Sequence, residues 1–453
     1  MKPHATTRGG RLSRRLAALG LDRKELRSWA LYDWANSAFI TTIGAAVLPI
    51  YYGRVAAADL EPFRATAYWS YTNSVALALI AIAAPVLGAM ADYLGAKKRF
   101  LATFMLVGVI ASAGLFFVQR GDWLMASALY LAGSIGFTGS LVFSDSLLPH
   151  IAREEERDRV STAGYALGYL GGGLLLALNA LMIAQPGLFG LGDAAMASRV
   201  SFLSVAVWWL VFSIPVLRNV PEPPRRTRAG EAPGENPFTA AFGRLKETLG
   251  EVRQYRETVK FLLAFWLYID GIHTIQRLAT IYGTELGLGQ STLIGALLLV
   301  QFLGIPFTFL FGALADRIGT RRGIYLALSV YTLIAIFGYF VSRAWHFWAL
   351  AFLVGLVQGG AQGLSRSFYA GMIPRAKSSE FFGFFSVFER FAGIVGPALF
   401  GLVAQLTGTS RFAIVALVAF FLGGLLLLSR VDEEAGRRAA AAEDATLTPA
   451  TRS

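Results

Sequence analysis

The chain has 453 residues, of which 55% are hydrophobic and only 15% are charged. Soluble globular proteins carry about 25% charged residues, so this composition excludes that class and predicts a polytopic membrane protein. The net charge is +12 and there is no cysteine, which excludes disulfides, thiolate chemistry and cysteine-bound metals.

The predicted elements begin with a basic tail at 1–28, which has no signal-peptide core and is expected to be cytoplasmic. Twelve apolar stretches follow, each near the roughly 20 residues that a membrane-spanning helix needs. They predict an all-α membrane protein with six-helix bundles at 29–217 and 258–430. The predicted spans are 29–52, 67–91, 100–118, 123–147, 159–184, 199–217, 258–283, 291–315, 323–342, 346–371, 380–406 and 411–429.

The polar segment between the bundles, 218–257, is predicted to be a cytoplasmic linker with one amphipathic helix. Its apolar stripe indicates a helix on the membrane surface, and packing on the protein's own loops is an equal alternative. The tail at 431–453 is Ala-rich and charged, so we expect it to be disordered. Lys and Arg cluster at both tails and at one set of loops, which predicts a multi-pass protein of the bacterial inner membrane with both termini cytoplasmic.

One motif occurs twice, each time at the end of an apolar span. It reads GAMADYLGAKKR at Gly88–Arg99 and GALADRIGTRR at Gly312–Arg322. Its glycines allow close helix approach and a tight reversal, and its aspartates can face the positive end of a packed helix. We therefore predict a conformational lock on the cytoplasmic side. Its residues are Gly88, Asp92, Gly95, Gly312, Asp316, Gly319 and Arg321.

Charged residues are absent from the interiors of spans 3, 6, 9 and 12 and present in spans 1, 7, 10 and 11. A charge in a membrane is costly unless it faces a cavity or a partner, so the second group is expected to surround a wet site. The predicted substrate-binding residues are Asp33 and Asn36 of span 1, Asp270, His273, Thr274 and Arg277 of span 7, and Gln358, Gln362 and Arg366 of span 10.

Three of the intramembrane groups are also candidates for proton coupling: Asp270, His273 and Glu389. His and a buried Asp can change protonation state near neutral pH. The alternative is a static ion pair that joins helices. The expected partner of Asp270 is Arg366, Arg390 or the substrate itself. In span 5, Gly164, Gly168 and Gly172 recur every four residues, which predicts a helix-packing face.

Several stretches together resemble one family, the vacuole-effluxer-like branch of the major facilitator superfamily. They are YDWANSAF, LLPHIA, GYALGYLGGG, LYIDGIHTI and QGGAQGLSRSFYAGMIP. The twice-occurring motif is likewise similar to the superfamily's signature loop. The resemblance implies twelve spans in the major facilitator fold, secondary transport, and amino acids as a candidate substrate class.

The resulting hypothesis is a monomeric transporter of a small polar solute, such as an amino acid or similar zwitterion, that works by alternating access. Its expected partners are the solute, protons and membrane lipid, and uniport stays open beside proton coupling. No cofactor, metal, nucleic acid or enzyme activity is expected, since the four histidines lack metal-ligand spacing and no phosphate-binding or nucleophile motif occurs. The alternatives are a receptor or scaffold with the same fold, or a transporter of peptides, sugars or drugs.

Overall fold

The structure, a computed structural model, describes residues 21–94, 96–153, 157–222, 255–373, 385, 387–389 and 391–447. All regular secondary structure in these ranges is helical. The predicted linker helix, most of the predicted lock and Arg390 lie outside the described residues or have undescribed side chains.

Twelve helical segments, α1 to α12, correspond in order to the twelve predicted spans. The first six are Lys24–Ala56, Pro62–Leu94, Lys97–Gly114, Trp123–Ile151, Arg157–Ala184 and Ala194–Asn219. The second six are Arg256–Glu285, Gln290–Ile318, Thr320–Gly338, Ala344–Ala370, Val395–Thr407 and Ser410–Ser429. Among the described residues, nine helices are long and apolar enough to cross a membrane. The all-α membrane fold is therefore confirmed, and the count of twelve spans stays a prediction.

The first helix is not a regular α-helix along its whole length. Its π-helical parts, Phe39–Ala46 and Tyr52–Ala56, flank one short α-helical stretch. Each π turn leaves its backbone wider and less regular than an α turn. Just after the first π-helical part, α1 passes from one compact unit of the chain to the other, between Leu48 and Pro49.

The described residues form two compact units. The first lies within Met1–Leu48 and Ile82–Phe238, and the second lies within Pro49–Ala81 and Thr239–Ser453. The second unit therefore contains the end of α1 and the first part of α2 together with α7 to α12.

Burial follows the charge pattern for some helices, whereas α9, which lacks interior charges, and α10, which carries them, are equally buried at 44%. In α1 and α7, 67% of the most apolar window is buried, against 39% in α3, α6 and α12. The latter expose large apolar side chains such as Ile110, Val207 and Leu426. An apolar surface of this kind is suited to lipid, whereas most of the apolar stretch of α1 and of α7 is buried.

The C-terminal tail corrects one expectation. Its first part is not disordered but forms a helix, α13, at Glu433–Leu447. Alanine is the strongest helix former, and an Arg437–Glu433 pair one turn apart adds to it. The helix packs on the rest of the second unit, where a Cβ placed on Gly436 would lie 3.0 Å from the Met372 side chain. The prediction of disorder was based on composition, which does not indicate such a contact between distant residues.

Candidate functional site

The polar face of α7 centres on Asp270, which is fully buried. Its Oδ1 accepts the backbone N–H groups of Gly393 and Gly396, both at 2.9 Å. Its Oδ2 accepts the N–H of Val395 at 3.2 Å. These donors lie at the start of α11, where the first N–H groups of a helix have no partner within the helix. Asp270 therefore caps a helix that belongs to another part of the chain.

Two glycines make this arrangement possible. Gly393 has a φ of +95°, in the region that favours glycine. A Cβ on Gly396 would lie 2.0 Å from Thr274 Oγ1 and 2.6 Å from Asp270 Oδ1. Thr274 is itself fully buried and donates its hydroxyl to the carbonyl of Asp270 at 2.7 Å. Asp270 and Thr274 thus hold the interruption before α11 in place.

Among the described residues, Asp270 pairs with backbone amides and not with the expected Arg366. Of the expected arginines, Arg366 is exposed, and the hydrogen bonds that Asp270 accepts come from backbone amides. The free N–H groups at a helix start act like a partial positive charge, so they stabilise the Asp270 carboxylate. The sequence does carry a signal for this start, because Pro397 two residues after Val395 suits the first turn of a helix.

Other polar atoms of α7 and α10 are buried without a hydrogen bond to any described residue. They are His273 Nδ1 and Gln276 Nε2 on α7, and Gln358 Oε1 on α10. Leaving such an atom unsatisfied costs about 1–3 kcal/mol. The sequence predicted His273 and Gln358, but Gln276 was missed because it lies beside the face selected from Asp270.

The packing register of α7 on α10 brings these groups to one level. Residue numbers rise along α7 as they fall along α10, so the two helices are antiparallel. The contacts are Thr258 Oγ1 to the Met372 carbonyl at 3.0 Å, the Phe261 and Phe368 rings at 5.0 Å, and Tyr268 OH to Ser365 Oγ at 2.5 Å. Continuing this register by two turns brings Gln276 level with Gln358.

The remaining predicted residues of the second unit are more accessible. Arg277 is half-buried, and its Nε lies 3.8 Å from the Cβ position of Gly393. Gln362 and Glu389 are also half-buried. Solute binding by these side chains stays a prediction.

In the first unit, Asp33 lies between α1 and α5. A Cβ on Gly164 would lie 2.5 Å from Asp33 Oδ2, and one on Gly168 would lie 2.6 Å from Ser37 Oγ. The glycine stripe of α5 is therefore a helix-packing face, as predicted. Asn36 is almost fully buried at 2% exposure, whereas Asp33 is half-buried.

Two residues of the predicted lock are described. Gly319 has a φ of +91° at the reversal between α8 and α9, which confirms its predicted turn role. Arg321 donates to the carbonyls of Leu428 and Ser429 at 2.9 and 2.8 Å, and so caps the C-terminal end of α12. The lock itself stays a prediction, because Gly88, Asp92, Gly95, Gly312 and Asp316 are outside the described residues or side chains.

Helices with lipid-suited surfaces and a buried polar face define a multi-pass α-helical membrane protein. The family profile described as "Vacuole effluxer Atg22 like" matches residues 61–441. The chain belongs to this family. It is 37% identical to the uncharacterized MFS-type transporter YxiO of Bacillus subtilis (strain 168), covering 91% of this chain and 95% of that protein.

More distant relatives support the same assignment. Autophagy-related protein 22 of Yarrowia lipolytica is 29% identical over 62% of this chain, and the match covers 51% of that protein. A crystal structure of a variant of the nucleoside transporter NupG has a TM-score of 0.64 and 13% identity, over 90% of this chain and 98% of that one. This last likeness shows the major facilitator fold alone.

Proposed function

We propose that this major facilitator protein moves a small polar solute across the membrane by alternating access. The observation that carries the proposal is the set of buried atoms without hydrogen-bond partners among the described residues, on His273, Gln276 and Gln358. An amide N–H, an imidazole nitrogen and an amide oxygen offer both donors and acceptors. A solute with both kinds of group would satisfy them.

The solute class that fits best is an amino acid or a similar zwitterion. Arg277 lies one turn after His273 on the same face of α7, and its guanidinium suits a carboxylate. In the first unit, Asp33 and Asn36 of α1 stay proposed solute contacts in their own right. We assign no solute contact to Asp270 and Thr274, because both are fully buried and engaged with α11 or with α7 itself.

Proton coupling is proposed through His273 and Glu389. The oxygens of Asp270 already accept three backbone hydrogen bonds, which is most of the about four that a carboxylate can accept. Uniport remains the alternative mechanism, and a gradient experiment separates the two.

A binding screen followed by flux tests the proposal. Purified protein is heated with amino acids, dipeptides, sugars and nucleosides, since a ligand stabilises the state that it binds. The hit is then assayed for uptake into proteoliposomes, with and without an imposed pH gradient. An amino acid is expected to raise the melting temperature and to be taken up. Uptake that is independent of the pH gradient would exclude proton coupling.

Matched variants locate the site. Gln276→Ala and Gln358→Ala each remove one hydrogen bond and are expected to weaken binding about tenfold. Gln119→Ala removes the same group from an exposed loop and is expected to bind normally. Binding without flux would favour the receptor alternative, and unaltered binding in both site variants would refute the site.

A further inference from the structure

The end of the second unit that is predicted to be extracytoplasmic is closed by a segment from the first half of the sequence. The Arg54 guanidinium donates to the carbonyl of Leu288, just beyond α7. Gly53 packs against α7, because a Cβ placed on it would lie 3.0 Å from side-chain atoms of Ile281 and Thr284. This end of α1 therefore rests directly on the end of α7.

Glu285, the last residue of α7, joins three segments at this end. Its Oε2 accepts the Thr66 hydroxyl of α2 at 2.6 Å. Its Oε1 accepts the backbone N–H of Ser410 at 2.9 Å, and its Oε2 also accepts the Ser410 hydroxyl. We call Glu285, Thr66 and Ser410 the latch.

The contact continues inward along α2 and α11. The Tyr71 hydroxyl donates to Gln405 Oε1 at 2.7 Å. A Cβ on Gly401 would lie 2.8 Å from the Tyr71 ring and 3.1 Å from the carbonyl of Ala67. The first turns of α2 thus lie on α11 without room for solvent between the backbones at this point.

We propose that the latch holds an extracytoplasmic gate shut, and that Pro49–Ala81 leaves α7 and α11 when this gate opens. The proposal rests on the alternating-access function proposed above, because such a cycle must open each side in turn. It places a gate at the side opposite to the lock predicted from Asp92 and Asp316.

The chemistry of the latch suits a contact that forms and breaks. Ser410 keeps two hydrogen bonds to the Glu285 carboxylate, so the carboxylate stays in place when Thr66 departs. The Thr66 hydroxyl also lies 3.1 Å from the Pro62 carbonyl of its own helix, which gives it an acceptor in the open state. Opening therefore leaves no buried donor unsatisfied at either residue.

The first test measures access to the closed contact. Ala67 is fully buried, and Ala67→Cys gives the only thiol in this cysteine-free chain. Cells expressing the full chain are treated with a membrane-impermeant maleimide, and the labelling rate is compared with that of denatured protein. Thr66→Val keeps the side-chain shape but removes the donor. It is expected to raise the labelling rate about tenfold, the effect of one lost hydrogen bond to a charged group.

Glu61→Gln is the matched control, since Glu61 forms an exposed pair with Arg64 near the same end of α2. It is expected to leave labelling unchanged. Equal labelling rates in Thr66→Val and the parent, with full labelling after denaturation, would overturn the latch.

The second test locks the gate covalently. The Cβ position of Gly53 lies 3.6 Å from Thr284 Cβ, within the range of about 3.5–4.5 Å that a disulfide needs. Oxidation of the Gly53→Cys, Thr284→Cys double variant is expected to stop flux, and reduction is expected to restore it. A formed disulfide that leaves flux intact would overturn the gate. Absence of flux in the parent protein would instead refute the transport function, while the labelling result would still decide the latch.

Discussion

Removing the charge of Asp270 should loosen the start of α11. In Asp270→Asn, the amide oxygen can replace Oδ1 and keep the bonds from Gly393 and Gly396. The amide NH₂ then faces the N–H of Val395, which now bonds to Oδ2, so donor meets donor. One charge-assisted hydrogen bond is lost and two become neutral.

The magnitude follows from these three bonds. A hydrogen bond to a charged group contributes about 1.5–3 kcal/mol, and a neutral one contributes about half of that. We therefore expect Asp270→Asn to lower the free energy of unfolding by about 3 kcal/mol or more. Asp270→Ala leaves all three donors without an acceptor and should cost about 5 kcal/mol or more.

The assay is thermal unfolding of the purified full chain in detergent, with Asp193→Asn as the matched control. Asp193 also caps a helix, by accepting the N–H of Met196 at 2.7 Å, but at an exposed position. Asn is as good as Asp at an ordinary helix N-terminus, so this control should melt with the parent. If Asp270→Asn also melts with the parent but loses ligand stabilisation, Asp270 binds solute or protons and does not anchor α11.

Three further outcomes are expected. Gly396→Ala should prevent stable folding or strongly lower the melting temperature, because its methyl group would overlap the Asp270 anchor; Gly173→Ala, where the Cβ position is open, should be tolerated. Arg321→Gln should lower the free energy of unfolding by about 1–3 kcal/mol in the same assay through loss of the α12 cap, whereas the exposed Arg322→Gln should not. Deleting 433–453 should speed hydrogen exchange at 371–373, and unchanged exchange would contradict the docking of α13.

The apolar runs and the charge distribution were sufficient to predict the membrane fold. Each span needs only its own sequence to be recognised, because backbone groups in lipid must be satisfied within the helix. The shared face of Asp270, His273, Thr274 and Arg277 was likewise predictable, since α7 is one uninterrupted helix. Local periodicity fixes which side chains lie together on one element.

What the sequence could not supply is which elements meet. The partner of Asp270 is the backbone around Val395, 125 residues further on, and backbone amides leave no mark in a residue-type pattern. The same holds for Glu285, which lies just beyond the predicted span 258–283 and whose sequence position indicates none of its contacts with Thr66 and Ser410. The docking of α13 was missed for a related reason, since no sequence pattern indicates that Met372 and Gly436 are in contact.

The three acidic residues of α7 have the same structural role in the second unit. Glu257, Asp270 and Glu285 each accept a backbone N–H at or next to the start of a later helix: Asp432 before α13 at 2.7 Å, Gly396 in α11 at 2.9 Å, and Ser410 in α12 at 2.9 Å.

Intervals of 13 and 15 residues place these carboxylates about 20 and 22 Å apart along α7. Each supplies negative charge to the positive end of a helix, so α7 fixes the starts of α11, α12 and α13 at three depths. A tilt of α7 would therefore carry α11, α12 and α13 with it. Glu285 also accepts the Thr66 hydroxyl and so joins α7 to α2. This hydrogen bond can break while the three backbone caps stay formed.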